Sequence, residues 1–212
     1  MTAPITLKSA TKTLSKAATR AMREKSLLKA ALVTVARYGI EGATVARICA
    51  EAGASRGLIA HYFNSKEDLL MVALQGLFDE AQTLKVAIAN DQSLALEIRI
   101  RHIAYTSFEA PIYSWNMASA WQEFTNACRF TPRYLIPIQD STEQFRATVQ
   151  PLFTALEQGY ALNIEPSTAA QGLFILIDGL WSSLATGKDG MTPQGAQKMC
   201  DVFIDGLITT KR

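Results

Sequence analysis

The stretch that most constrains this chain is residues 42–70, GATVARICAEAGASRGLIAHYFNSKEDLL. It packs two short helices and the start of a third between tight punctuation. Thr44 is placed to cap a helix over about Val45–Ala52, because its hydroxyl can accept one of the amides left unbonded at a helix start. Gly53 ends that helix where a positive φ is needed. Ser55 then stands as the cap of a second, short helix over about Arg56–Phe63. Two helices joined by a three- or four-residue turn containing glycine make a helix-turn-helix unit. Ile48, Ala52, Ala54, Ile59, Tyr62 and Phe63 point inward in that geometry, and Cys49 is a small core residue where the helices approach.

Subtracting the inward face of the second helix leaves Arg56, Gly57, Ala60 and His61 as one outward stripe. It begins at the helix N-terminus, the end that such units direct into a major groove of duplex DNA. Gly57 and Ala60 are small enough to let the helix sit deep. Arg56 can bond guanine O6 and N7 together, worth about 1–3 kcal/mol of discrimination. Downstream, Ser65 caps the next helix, whose free amides and Lys66 suit a phosphate. Tyr62 reads as both core and phosphate contact. The candidate DNA-binding set is therefore Thr44, Ser55, Arg56, Gly57, Ala60, His61, Tyr62 and Lys66. For Thr44 and Ser55 a purely capping role is the plain alternative, and for His61 a plain surface histidine.

Charge agrees with this placement. Residues 1–70 carry 11 Lys and Arg against 5 Asp and Glu, a net of +6, while residues 71–212 carry 10 against 14, a net of −4. A basic first third on an acidic remainder fits one end that meets a polyanion, and by charge alone fits a solvated lysine-rich tail equally well. Residues 1–19 lack an apolar face, and with Lys8, Lys12 and Lys16 they read as a flexible basic arm.

Everything else reads as helix. Leu27, Leu28, Ala31, Leu32, Val35 and Tyr38 recur at helical spacing, with Gly39 as the stop. A long helix runs from about Lys66 towards Asn90 and another from about Leu94 to Phe108. Further helical segments follow at 114–128, 133–158, 166–186 and 192–209, punctuated by Pro132, Gly159, Pro166, Gly187 and Pro193. The fold class is all-α: a helix-turn-helix domain over 20–65, then a larger helical domain over 66–212. Hydrophobic residues are 49% of the chain, ample for a core.

The apolar run 169–187 is too polar to span a bilayer, since Asp178 at its centre costs roughly 2.5–3.5 kcal/mol on insertion scales. No secretory leader is visible, and three widely spaced cysteines suit a reducing cytoplasm. His61 and His102 stand in no metal or triad spacing, and neither G-x-S-x-G nor a glycine-rich phosphate loop occurs. An all-α enzyme and a helical interaction protein without DNA binding are thus remote alternatives. No cofactor or metal is expected.

The helix-turn-helix stretch resembles the N-terminal domain of the TetR-family transcriptional regulators. That family's pattern S-x-G-x-[LI]-x-x-x-F followed by Lys reads here as Ser55, Gly57, Ile59, Phe63 and Lys66, preceded by GATVARICAEAGAS. The chain departs from it at Ala60, where many relatives carry Tyr. The resemblance implies a homodimer, paired through the last two helices, on a near-palindromic double-stranded DNA operator. It further implies a repressor that a small-molecule effector releases. Beyond residue 75, SAWQEF (with Trp121, Gln122 and Glu123) and GLFILIDGLW (with Ile177–Trp181) resemble the BetI-like, choline-responsive branch. That implies choline or another quaternary ammonium as effector.

The residues of the second domain are compatible with such a ligand. A quaternary ammonium has no N–H to donate, so aromatic faces and a nearby acid must hold it. Tyr105, Phe108, Trp115, Met117, Trp121, Glu123, Phe124, Asp178 and Trp181 are the candidates. Met117, Trp121 and Phe124 share one helix face, as do Asp178 and Trp181. An aromatic stripe at helical spacing is more often plain core, and an apolar or neutral effector, as in drug-efflux or metabolite control, fits the same residues. Asp178 needs a partner inside its apolar helix, and Arg129 or Arg133 is the expected one. The helix over 66–90 is the expected lever between ligand and DNA.

Overall fold

The computed structural model describes residues 7–211, with side chains from residue 18 to residue 208 apart from Asp189. Its helices are α1 (Leu7–Gly42), α2 (Val45–Ala52), α3 (Arg56–Tyr62), α4 (Lys66–Ala89), α5 (Leu96–Thr106), α6 (Trp115–Ala127), α7 (Leu135–Leu156), α8 (Pro166–Thr186) and α9 (Pro193–Leu207). A short antiparallel ribbon, β1 (Tyr160–Leu162) with β2 (Ile208–Lys211), ties the end of the chain to the α7–α8 connection. The all-α architecture expected from the periodicity is what the chain adopts.

The first helix corrects the arm expected over residues 1–19. Residues 7–19 continue α1, and residues 1–6 lie outside the described residues. The segment from Leu7 to Arg20 contains neither Gly nor Pro and is built of Ala, Lys, Leu, Ser and Thr, so nothing breaks a helix there even without an apolar face. Leu27, Ala31, Leu32 and Val35 are buried as expected, whereas Tyr38 is half exposed. Arg47 lies 4.4 Å over the Tyr38 ring, which keeps that ring on the surface as a cation–π partner. The regular path of α1 breaks at Gly39, with φ 69° and ψ 174°. This is the left-handed region where only glycine is unstrained.

The helix-turn-helix unit forms as its sequence dictates. Thr44 Oγ1 accepts from the Arg47 amide at 3.4 Å, and Gly53 takes φ 60° and ψ 34° as the C-cap of α2. Ile48, Ile59 and Phe63 are buried, and Cys49 is buried beside them. Ser55 precedes α3 in extended conformation but makes no capping hydrogen bond with its side chain. Ser65 caps α4 as expected, its Oγ accepting from the Asp68 amide at 3.0 Å.

The helices that follow share one core with the first domain. α1 packs on α2, α4 and α6, while α7 and α8 close over α4 and α6. α8 and α9 approach so closely at Gly172 that an added Cβ would lie 2.9 Å from the Phe203 ring. Among the described residues no helix is long and apolar enough to cross a membrane, and α8 buries one face, with Leu173, Ile177, Leu180 and Trp181, against the bundle.

A candidate nucleic-acid face and an aromatic pocket

Arg56, Gly57, Ala60 and His61 are all exposed on α3, on the side away from buried Ile59. Arg56 forms no hydrogen bond or ion pair with any described residue, so its guanidinium is free for an outside acceptor. Ser55 keeps its hydroxyl free of a capping bond, and His61 meets the Tyr62 ring edge-on, at 5.3 Å between centroids. Tyr62 is half-buried, with Arg20 5.4 Å over its ring. That contact brings an α1 cation to α3.

Other cations nearby are engaged within the fold. Arg37 pairs with Glu51 at 2.8 Å, and Arg47 donates to the Gly42 carbonyl at 2.8 Å. Lys66 departs from its expected use: its Nζ donates to the Ile40 carbonyl at 3.2 Å and lies 3.9 Å from Glu67. The α1 end leaves that carbonyl without a helical partner, and the lysine stem is long enough to reach it. Lys66 therefore fastens α4 to α1.

The pocket opens between α4, α6, α7 and α8, with about 550 Å³ of empty volume partly open to solvent. Three of the nine expected ligand residues line it: Trp121, Asp178 and Trp181. The Trp121 indole N–H donates to Asp178 Oδ1 at 2.8 Å, and the Trp181 indole N–H donates to the Ser107 carbonyl at 2.7 Å. Burial raises the Asp178 carboxyl above its ordinary pKa, and the indole bond works against that rise. Neither expected arginine reaches it. Arg133 pairs with Asp68 at 3.2 Å, and Arg129 lies over Phe130. A neutral N–H donor thus meets the half-buried acid, and no described cation pairs with it.

The other six candidates have different places. Tyr105 donates its hydroxyl to Asp201 at 2.6 Å, and burial with that bond pushes its pKa up to about 12. Phe108 is buried in the core, and Phe124 packs edge-on against Tyr134 at 5.2 Å. Trp115 is 54% exposed and donates to the Ala185 carbonyl. Met117 faces a separate groove between α1 and α4. Glu123 sits where α6 meets the α1 break, so that a Cβ on Gly39 would come within 3.1 Å of its Oε2. A single helical stripe cannot face one cavity over three turns when neighbouring helices cross it, which divides these residues among separate contacts.

Phe78, Lys85, Ser107 and Phe174 line the pocket without having been expected. Phe78 meets Trp121 edge to face at 5.6 Å, and Phe174 packs on Phe145 at 5.4 Å. The signal for α4 was present: Leu74, Leu77, Phe78, Ala81 and Lys85 fall on one helical face, and the lysine interrupts an otherwise apolar row.

A helix-turn-helix unit with a free basic face, joined to a larger helical body, defines a DNA-binding transcription regulator. The chain belongs to the TetR family of bacterial regulatory proteins, whose N-terminal domain model matches residues 27–72, and the C-terminal domain model of the BetI-type transcriptional repressors matches residues 97–209. It is similar to the HTH-type transcriptional regulator BetI of Proteus mirabilis, 29% identical over 192 residues, covering 88% of this chain and 92% of that one. Among solved structures it resembles a transcriptional regulator from Pseudomonas aeruginosa PAO1, with 27% identity and a TM-score of 0.73 over 87% of this chain and 89% of that one. A regulator from Saccharomonospora viridis, solved in complex with choline, shares the fold at a TM-score of 0.77 and 22% identity, over 90% of this chain and all of that one.

Proposed function

We propose that this chain acts as a homodimeric repressor that sits on a near-palindromic operator and leaves it when a quaternary ammonium compound, such as choline, enters the pocket. The observation that carries the ligand half is the half-buried Asp178, hydrogen-bonded by Trp121 and with Trp181 one turn away on the same helix. Aromatic faces around an acid without a counter-cation suit a cation that cannot donate hydrogen bonds. The choline bound to the Saccharomonospora viridis regulator supports the same reading.

The DNA half rests on the α3 stripe. Arg56 and His61 contact bases or phosphates, Gly57 and Ala60 allow close approach, and Thr44, Ser55 and Tyr62 add contacts at the groove edge. Lys66 acts indirectly, by holding the α4 amide end in place. Exposed Ile175 on α8 and exposed Met199 and Val202 on α9 favour pairing of these helices with a second copy. Such pairing sets two recognition helices about 34–36 Å apart, one DNA turn.

Coupling runs along α4. This helix follows the recognition helix in the chain after residues 63–65, and its Leu77, Phe78, Ala81 and Lys85 line the pocket. Lys66 and Lys85 are about 28 Å apart along one continuous rod. A ligand shifts the two-state balance by its differential affinity for the two placements of that rod.

The test is operator binding by the full-length protein with choline and with its neutral carbon isostere, 3,3-dimethylbutan-1-ol. Choline releases the DNA and raises the thermal midpoint, and the isostere does neither. Equal effects of both compounds would remove the cation reading, and release by neither would leave the DNA-binding half alone.

A further inference from the structure

Among the groups that line the pocket, Lys85 and Ser107 are donors that a quaternary ammonium leaves unanswered. Lys85 lines it, half-buried, with its Nζ 5.3 Å over the Phe145 ring and no hydrogen bond or ion pair to any described residue. Ser107 lines it too, and its buried Oγ has no hydrogen-bond partner. A lysine offers only donors, and a buried hydroxyl without a partner is costly. Both call for an acceptor oxygen, and Lys85 calls for a negative one.

These donors and the acid are distributed along the pocket. Phe78 touches Trp121, which bonds Asp178. Lys85 is seven residues further along α4, two turns or about 10 Å away on the same face. It stands over Phe145, the ring that packs on Phe174 at that part of the lining. The pocket thus has an acidic, indole-rich end and a cationic end. The Lys85 stem of four carbons spans part of the interval, so a ligand with its charges a few carbons apart can meet both.

We propose that the effector is a zwitterion, a trimethylammonium joined through a short carbon chain to a carboxylate. The ammonium sits against Trp121, Trp181 and Asp178. The carboxylate pairs with Lys85, and the Ser107 hydroxyl donates to a ligand oxygen. This inference rests on the quaternary ammonium reading above and extends it from a cation to a cation with an attached anion. Burial pulls the Lys85 ammonium down to a pKa of about 8, and an incoming carboxylate offsets that desolvation of the charged form.

The experiment is calorimetric titration of the full-length protein with choline, 4-(trimethylammonio)butanoate, the methyl ester of that compound, and 5,5-dimethylhexanoate, its carboxylate-bearing carbon isostere. The zwitterion binds at least tenfold more tightly than the ester and than the isostere. Its advantage over the ester shrinks above pH 8, as Lys85 loses its proton. Lys85→Met brings zwitterion and ester within twofold of each other, while Lys85→Arg keeps the preference. Circular dichroism of each variant confirms the fold.

A zwitterion that binds no better than its ester overturns this inference alone, provided choline or the ester binds. A preference that survives Lys85→Met overturns it as well. Binding of none of the trimethylammonium compounds overturns the quaternary ammonium reading and this inference with it. An isostere that matches the zwitterion shows that the anion alone is recognised, and overturns both.

Discussion

The Trp121 indole N–H and the Asp178 carboxylate, 57 residues apart in sequence, meet at 2.8 Å across the α6–α8 contact. Each has its polar group satisfied by the other, yet the pair carries a net negative charge into a largely apolar space. Removing that charge while keeping the acceptor separates recognition from structure. Asp178→Asn retains an oxygen for the indole and loses the cation partner. We expect choline affinity, read by calorimetry, to fall at least tenfold with the apo thermal midpoint held or raised. A variant that binds choline as tightly as the parent would show that the carboxylate is not its counter-ion.

Arg56 is the recognition-helix cation without an intramolecular partner. Arg56→Ala is expected to weaken operator binding by about 1–3 kcal/mol and to relax preference at one base pair in each half-site. Mobility shifts on operator and single-base variants measure both effects. Unchanged discrimination with a reduced salt slope would assign Arg56 to phosphate instead.

Lys66 behaves differently because its ammonium is bonded within the protein. Lys66→Met is expected to lower stability by about 1 kcal/mol or somewhat more through the orphaned Ile40 carbonyl. The salt dependence of DNA affinity, fitted as a log–log slope, stays at the parent value. A slope lower by about one would mean that Lys66 leaves Ile40 for a phosphate on binding.

Lys85 imposes a pH signature on the free protein. Its folded pKa, near 8, lies below the ordinary lysine value of 10.5, so burying the charged form opposes folding. That cost is fully present below pH 8 and disappears as pH rises from about 8 to 10.5. Lys85→Met is therefore expected to be more stable than the parent at pH 7, by about 1–3 kcal/mol after allowance for partial exposure. Urea melts from pH 7 to pH 10 should show the difference shrinking. A constant difference would trace the gain to packing.

Gly39 combines a left-handed backbone with a tight neighbour. Gly39→Ala has to hold φ near 69° and displace the Glu123 carboxylate from 3.1 Å, so it is expected to destabilise by about 1–2 kcal/mol. Pairing it with Glu123→Ala relieves the crowding and leaves the backbone cost. Thermal melts of the two variants and their combination separate the contributions, and equal midpoints for parent and Gly39→Ala would remove the strain argument.

Local chemistry made the DNA-facing unit legible from sequence. Thr44, Gly53 and Ser65 act within a few residues of themselves, and the periodicities of α2, α3 and α8 mark their buried faces regardless of what covers them. That is why the all-α class, the helix-turn-helix and the Ser65 cap were readable from the sequence. The pairings were not, because each depends on which helix crosses which. Only the packing decided that Trp121 and not an arginine meets Asp178, that Lys66 turns back to Ile40, and that Tyr105 serves Asp201. The same crossing of α4, α6, α7 and α8 set Lys85 and Ser107 into the pocket and kept Phe108 and Phe124 in the core. A helix reports its own apolar face through spacing, but the space between faces belongs to several helices at once and exists only when they are assembled.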